Sequence, residues 1–173
     1  MKIDFDALYR RHYGRVFGAC LRLLGRRALA EDAAQEVFVR AYRSLDRYDE
    51  RQPFDRWVLA IASHHCVDLL RRRAREPLRF DDPETAGAAS EPPVPATLDV
   101  LVDAERDDEL RAAIADLPEK YRLPLVLAYY NEASYEEIAA TLGITRNHVG
   151  VLLLRAKQSL RRALESSGRA PHA

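Results

Sequence analysis

The chain has 173 residues, of which 47% are hydrophobic and 31% charged, with only 7 glycines; that is enough to bury a core without staples and reads as a globular, mainly helical protein. Two cysteines, Cys20 and Cys66, are too few for a disulfide framework or a cysteine-only zinc site, the acid-bearing start MKIDFDALYRRHYGRVF is not a signal peptide, and no stretch reaches the ~18 apolar residues of a membrane span. The formal net charge of zero is an average: Lys and Arg stand 17 to 11 against Asp and Glu in residues 1–80 (+6), 2 to 11 in 81–117 (−9) and 8 to 5 in 118–173 (+3), so two basic lobes flank an acidic middle and nucleic-acid binding is permitted.

Phe5, Leu8, Tyr9, His12, Tyr13, Val16, Phe17, Cys20, Leu21 and Leu24 recur at helical spacing, which predicts an amphipathic helix over 4–24 closed by Gly25. A second helix is expected over about 29–45, with Leu29, Ala33, Val37, Ala41 and Leu45 in line, Phe38 and Tyr42 beside them, and Glu31 and Asp32 in its first turns. Residues 46–53, DRYDERQP, read as a polar loop. A third helix starts near Phe54, continues the stripe Phe54, Trp57, Val58, Ile61, His65, Leu69 and ends in the arginine run 71–75 before Pro77.

Residues 77–97, PLRFDDPETAGAASEPPVPAT, hold five prolines and few large apolar groups, so they read as a flexible, acidic, proline-rich linker. Helices are then expected at about 98–116, 119–131, 135–142 and 146–165. Pro124 either kinks the second of these or occupies a first-turn position in a helix that starts late. The fold class is all-α: two helical domains, 1–76 and 98–167, joined by the linker 77–97 and followed by a disordered tail at 168–173.

Ser134 with Glu137 three residues later forms a capping box, Gly143 suits a tight turn, Ile144 is its apolar anchor and Thr145 is a second N-cap. This is the spacing of a helix-turn-helix, and also of an ordinary helical hairpin in a bundle. For a recognition helix, Arg146, Asn147 and His148 supply the first turn, while Arg155, Lys157, Arg161 and Arg162 make the later part basic.

With these motifs in order, the whole chain resembles a sigma-70-family RNA polymerase initiation factor of the small group-four, or extracytoplasmic-function (ECF), type. The likeness is carried by EDAAQEVFVRAYRSLDRY, by FDRWVLAIASHHCVDLLRRRAR and by LPEKYRLPLVLAYYNEASYEEIAATLGI. It implies a sigma-2 domain, a linker and a sigma-4 domain, and an alternative sigma factor that binds core polymerase, recognises −10 and −35 elements and helps open DNA. Implied polymerase contacts, on the clamp helices of the largest subunit, are Asp32, Gln35, Glu36, Phe38 and Arg40; the beta flap is a further implied contact. Phe38 borders the Val37 stripe and could equally be core. Implied −10 binding and melting residues are Asp49, Glu50, Arg51, Gln52, His64, Arg71, Arg72, Arg73 and Arg75, with an unstacked nontemplate base captured beside the loop 46–53. Trp57 could stack on a base, but its place in the apolar stripe favours core packing. The −35 candidates are Arg146, Asn147, His148, Arg155 and Lys157. An anti-sigma factor is an implied partner. Members commonly carry polar groups where this chain has Gly150, Leu152 and Leu154, so the recognition helix is expected to expose unusual apolar surface.

No Walker loop, HExxH or nucleophile motif is present; the chain is expected to be no enzyme, with no cofactor and no metal, and to reside in the cytoplasm without membrane insertion. The competing reading is a sigma-like DNA-binding regulator that forms no productive holoenzyme.

Overall fold

The computed structural model describes residues 3–81 and 108–166. Most of the expected linker, residues 98–107 of the expected acidic helix, and the expected tail at 168–173 lie outside the described residues. The fold is all-α, with two helical clusters that divide at Pro77; Tyr130–Glu132 group with the first.

The first cluster holds α1 (Phe5–Leu24), α2 (Arg27–Arg43), a 3-10 turn (Leu45–Arg47) and α3 (Phe54–Arg73). Asp4 caps α1 by accepting from the Ala7 amide at 3.1 Å. Gly25 ends the helix at φ 73°, and its amide donates to the Leu21 carbonyl at 2.8 Å. This left-handed step lets the chain re-enter a helix at Arg27, two residues before the periodicity suggests. Glu31 is therefore in the second turn of α2, with no acid in the first. Its carboxylate instead accepts from Arg27 Nε at 3.0 Å.

α1, α2 and α3 pack against one another. Val16, Cys20 and Leu23 of α1 meet Ala34, Val37 and Ala41 of α2 and Val58, Ala62 and Cys66 of α3 in a core with no exposed surface beyond traces. Alanine on the inner face of α2 leaves room for close helix approach, and the larger residues fill the middle. Arg15 of α1 pairs with Asp55 in the first turn of α3. Both cysteines are free and buried, and a side-chain hydrogen bond with Cys20 first, then burial, pushes the Cys66 thiol up.

The second cluster holds α4 (Asp108–Asp116), α5 (Glu119–Tyr129), α6 (Tyr135–Leu142) and α7 (Arg146–Ser166). Pro118 precedes α5, and its carbonyl accepts from the amides of Tyr121 and Arg122, both at 2.9 Å. The helix does not start late: Pro124 is its sixth residue and is buried. A proline there leaves the Lys120 carbonyl without its i+4 donor, while the ring fills core space. α7 is the spine of this cluster and touches α4, α5 and α6.

Contact with three neighbours explains a correction. Gly150 and Leu152, expected on the outer side of α7, are buried with Val149, Leu153, Ala156 and Leu160. Leu154 alone of the three substituted positions is outward, at 45% exposure. Ile144, expected as a buried turn anchor, is half-buried.

Candidate polymerase and promoter surfaces

On α2, Asp32 and Gln35 are exposed and Glu36 and Arg40 are half-buried. Glu36 Oε1 accepts from Arg40 Nε at 2.8 Å, one helical turn away. That hydrogen bond is the main reason the Glu36 carboxyl is held below the usual range. Phe38 lies elsewhere: it is 3% exposed, and its ring meets Tyr9 at 4.8 Å and Phe5 at 6.3 Å between centroids. Its side chain supports α2 from beneath.

Val39, which sequence reasoning passed over, and Tyr42, which it placed beside the apolar line, stand on the same outer stripe. Val39 is 41% and Tyr42 63% exposed. Asp32, Gln35, Val39 and Tyr42 follow a three-four-three spacing, the seam by which one helix meets another. That spacing is visible in the sequence; its outward orientation is not, because Val37 and Ala41 lie on an equally regular line.

The loop before α3 is ordered by its own side chains. Asp49 accepts from the Arg51 backbone amide at 3.0 Å and from Arg51 Nε at 3.0 and 3.1 Å through its two oxygens. Those bonds, the side-chain one first, hold the Asp49 carboxyl below the usual range. The Gln52 amide donates to the Asp49 carbonyl at 3.0 Å, and the Tyr48 hydroxyl donates to the Gln52 carbonyl at 2.7 Å. Glu50 and Arg51 are exposed, and Gln52 is half-buried. Tyr48 in turn rests on Trp57, 4.9 Å between centroids, and on Phe54 at 5.5 Å.

Trp57 is half-buried, an intermediate outcome for a residue expected in the core. With Arg40, Ser44, Ala60, Ile61 and His64 it lines a shallow pocket of about 440 Å³. The pocket joins one residue from the polymerase set, Arg40, to one from the −10 set, His64. His64 is exposed, with Nδ1 2.8 Å from the Ala60 carbonyl oxygen. His65 beside it is 6% exposed, and burial first, then Arg40, lowers its pKa, against the opposing pull of Glu36. Arg71, Arg72, Arg73 and Arg75 are exposed at the far end of α3, with Arg71 Nη1 3.7 Å from Asp68 Oδ1.

In the second cluster, both expected caps form. Ser134 Oγ accepts from the Glu137 amide at 3.2 Å, and Glu137 Oε2 accepts from the Ser134 amide at 2.7 Å. Gly143 sits at φ 70° and donates to the Ala139 carbonyl at 2.9 Å. Thr145 Oγ1 accepts from the His148 amide at 3.2 Å. These bonds fix a helix-turn-helix of α6 and α7. Arg146 and Asn147 are exposed at the start of α7 and His148 is half-buried, its Nε2 buried without a hydrogen-bond partner among the described residues.

Arg155 and Lys157 belong to a different part of the surface, more than two turns further along α7. Lys157 is half-buried and its Nζ is 5.9 Å from the Tyr129 ring centroid; burial lowers its pKa. Arg155 lines a groove of about 430 Å³ with Tyr121, Leu154, Gln158, Ser159 and Arg162. Among the described residues, no cluster of His, Cys, Asp and Glu could hold a metal ion, and no helix is long and apolar enough to cross a membrane.

Comparison with known proteins connects the two clusters. Residues 8–76 match the model of sigma-70 region 2, and residues 107–160 that of sigma-70 region 4. The chain is 35% identical over 160 residues to the ECF RNA polymerase sigma factor SigE of Mycolicibacterium smegmatis, covering 91% of this chain and 60% of that protein. It is 33% identical over 157 residues to the ECF RNA polymerase sigma factor SigW of Bacillus subtilis, covering 87% and 83%. Among solved structures, the sigma factor RpoE of Bartonella quintana, bound to the anti-sigma factor NepR, matches with TM-score 0.62 and 21% identity over 94% of this chain and 97% of that one. CnrH, in complex with the cytosolic domain of CnrY, matches with TM-score 0.56 and 23% identity over 94% and 88%; at these identities the likeness concerns the fold. The two region models in this order, and the identity to SigW across most of both chains, show that the chain belongs to the ECF group of sigma-70-family RNA polymerase sigma factors.

Proposed function

We propose that this chain is an alternative sigma factor that docks on core RNA polymerase through α2, engages the −10 element and melted nontemplate strand through the 49–52 loop and α3, and meets the −35 duplex through α7. The observation that carries the reading is the conjunction, in one chain, of a region-2 match over 8–76 and a region-4 match over 107–160. The domains proposed are 1–76 and 98–167, with 77–97 as the tether. Sigma factors supply recognition and leave the chemistry to the polymerase, so the protein itself is no enzyme.

The docking edge comprises Asp32, Gln35, Glu36 and Arg40, extended by Val39 and Tyr42. Charged groups set orientation and encounter rate. The exposed aromatic supplies the apolar anchor that helix-helix interfaces need. Phe38 acts from beneath, as core support. Arg71, Arg72, Arg73 and Arg75 meet phosphates, and the pocket of Trp57 and His64 offers a stacking face and a polar edge near the opened strand. On the −35 side, Arg146 and Asn147 stand where a recognition helix meets base edges; Arg155 is suited to phosphate, and the ammonium of Lys157 lies nearer Tyr129. The beta flap is a second polymerase contact. An anti-sigma factor is a partner by analogy with the RpoE–NepR and CnrH–CnrY complexes. The site of action is the cytoplasm, where the polymerase is.

Reconstitution with core polymerase on a promoter library, followed by transcript-start sequencing, tests the proposal. Defined starts with shared upstream −35 and −10 sequences are expected. DNA binding without initiation would instead make the protein a regulator that forms no productive holoenzyme.

A further inference from the structure

Glu136 and Arg146 lie ten residues apart on opposite sides of the helix-turn-helix turn, and Arg146 Nε donates to Glu136 Oε1 at 2.7 Å. The guanidinium carbon is 5.7 Å from the centroid of the Tyr135 ring. Both helix starts that carry the pair are fixed, α6 by the capping box of Ser134 and Glu137 and α7 by Thr145. The Glu136 carboxyl is held below the usual range, first by a backbone hydrogen bond and also by Arg146, so it is ionised at neutral pH.

The side chains are 43% and 67% exposed, and a surface pair of this kind adds little to stability. Its geometric effect is larger. A guanidinium is a rigid planar fork. A carboxylate on Nε, with an aromatic ring close by, selects one orientation of that fork before any DNA arrives, which removes part of the ordering cost of binding.

We infer that Glu136 is a positioning residue for −35 recognition, presetting the Arg146 guanidinium beside Tyr135 and so raising discrimination between promoter and other DNA. The inference rests on the proposed role of Arg146 as a DNA contact. Glu136 works in two directions: it orients the arginine for the correct base edge, and its negative charge opposes phosphates wherever that base partner is missing. Specific binding keeps its contact, while sequence-neutral binding meets only the repulsion.

The test uses the full chain assembled with core polymerase, on a promoter duplex defined by start-site mapping and on the same duplex with a scrambled −35 element. The ratio of the two affinities is the readout. In E136A the ratio is expected to fall about fivefold or more, with scrambled-duplex affinity unchanged or raised and core binding intact. E136Q keeps an oxygen acceptor for Arg146 but loses the charge, and its ratio is expected to fall between those of the wild type and E136A. In an R146A background, E136A is expected to change the ratio no further. Equal gains on both duplexes in E136A would show simple charge repulsion and overturn the inference. So would parallel losses on both duplexes with a lowered thermal midpoint, which would show structural support only. If R146A lowers the ratio and E136A does not, the inference falls and the reading of Arg146 stands. If R146A itself leaves the ratio unchanged, both fall.

Discussion

The rings of Tyr9 on α1 and Phe38 on α2 meet edge to face with centroids 4.8 Å apart. Phe38 is thus an internal brace for the helix whose outer face is proposed to dock on polymerase. Truncating it in F38A is expected to destabilise the first domain by about 3–5 kcal/mol, the usual cost of emptying a buried phenylalanine site. F38L should lose much less. Urea unfolding of the full chain, followed by protease sensitivity of residues 5–73, measures this. A fully stable F38A protein with abolished core binding would make Phe38 a direct contact instead.

The outer face of α2 should respond in the opposite way. D32K/E36K is expected to weaken core-polymerase affinity by about tenfold or more through reversed charge complementarity. Y42A, which removes an exposed ring, is expected to cost a similar amount by removing an apolar anchor. Helical content by circular dichroism should be nearly unchanged in both. Direct titration against labelled core enzyme checks affinity; unchanged binding in folded variants would remove α2 from the interface.

Acid should destabilise the first domain through His65, which is buried, and His12, which is half-buried. Burial lowers the pKa of both His65 and His12 in the folded protein. Between the folded value and the unfolded value of about 6.5, the unfolded chain binds more protons, so stability rises with pH through that window. It is full above the unfolded pKa and is lost as pH falls below it. For His65, Arg40 and Arg72 add to the lowering, while Glu36 and Asp68 oppose it. H65Q should flatten the stability-versus-pH slope below the unfolded value of about 6.5, with His12 carrying the remainder. An unaltered slope in H65Q, measured by denaturant midpoints, would contradict this account.

The turn of the helix-turn-helix is sensitive at Gly143. Its φ of 70° places any Cβ in the left-handed region, at a cost of about 1–2 kcal/mol for alanine. T145A removes the acceptor for the His148 amide and should cost about 1 kcal/mol. Thermal unfolding checks both. G143N, which tolerates the left-handed region better, should be less damaging than G143A.

Much of this molecule follows from short-range sequence signals. Gly25, Gly143, Ser134 with Glu137, and Thr145 mark helix ends through hydrogen bonds within a few residues, so both the helix order and the helix-turn-helix are legible without tertiary information. The 3.6-residue periodicity likewise marks one buried stripe per helix. It cannot say how wide that stripe is, because width depends on how many neighbours a helix meets. α7 meets three, so Gly150 and Leu152 are buried and Leu154 is left outside. On α2 the same limit separates Phe38, which turns under the helix, from Val39 and Tyr42, which turn out. The pairing of Glu136 with Arg146 also required the fold: charge in the sequence marks both as surface residues, but only the crossing of α6 over the start of α7 brings their side chains within hydrogen-bond reach.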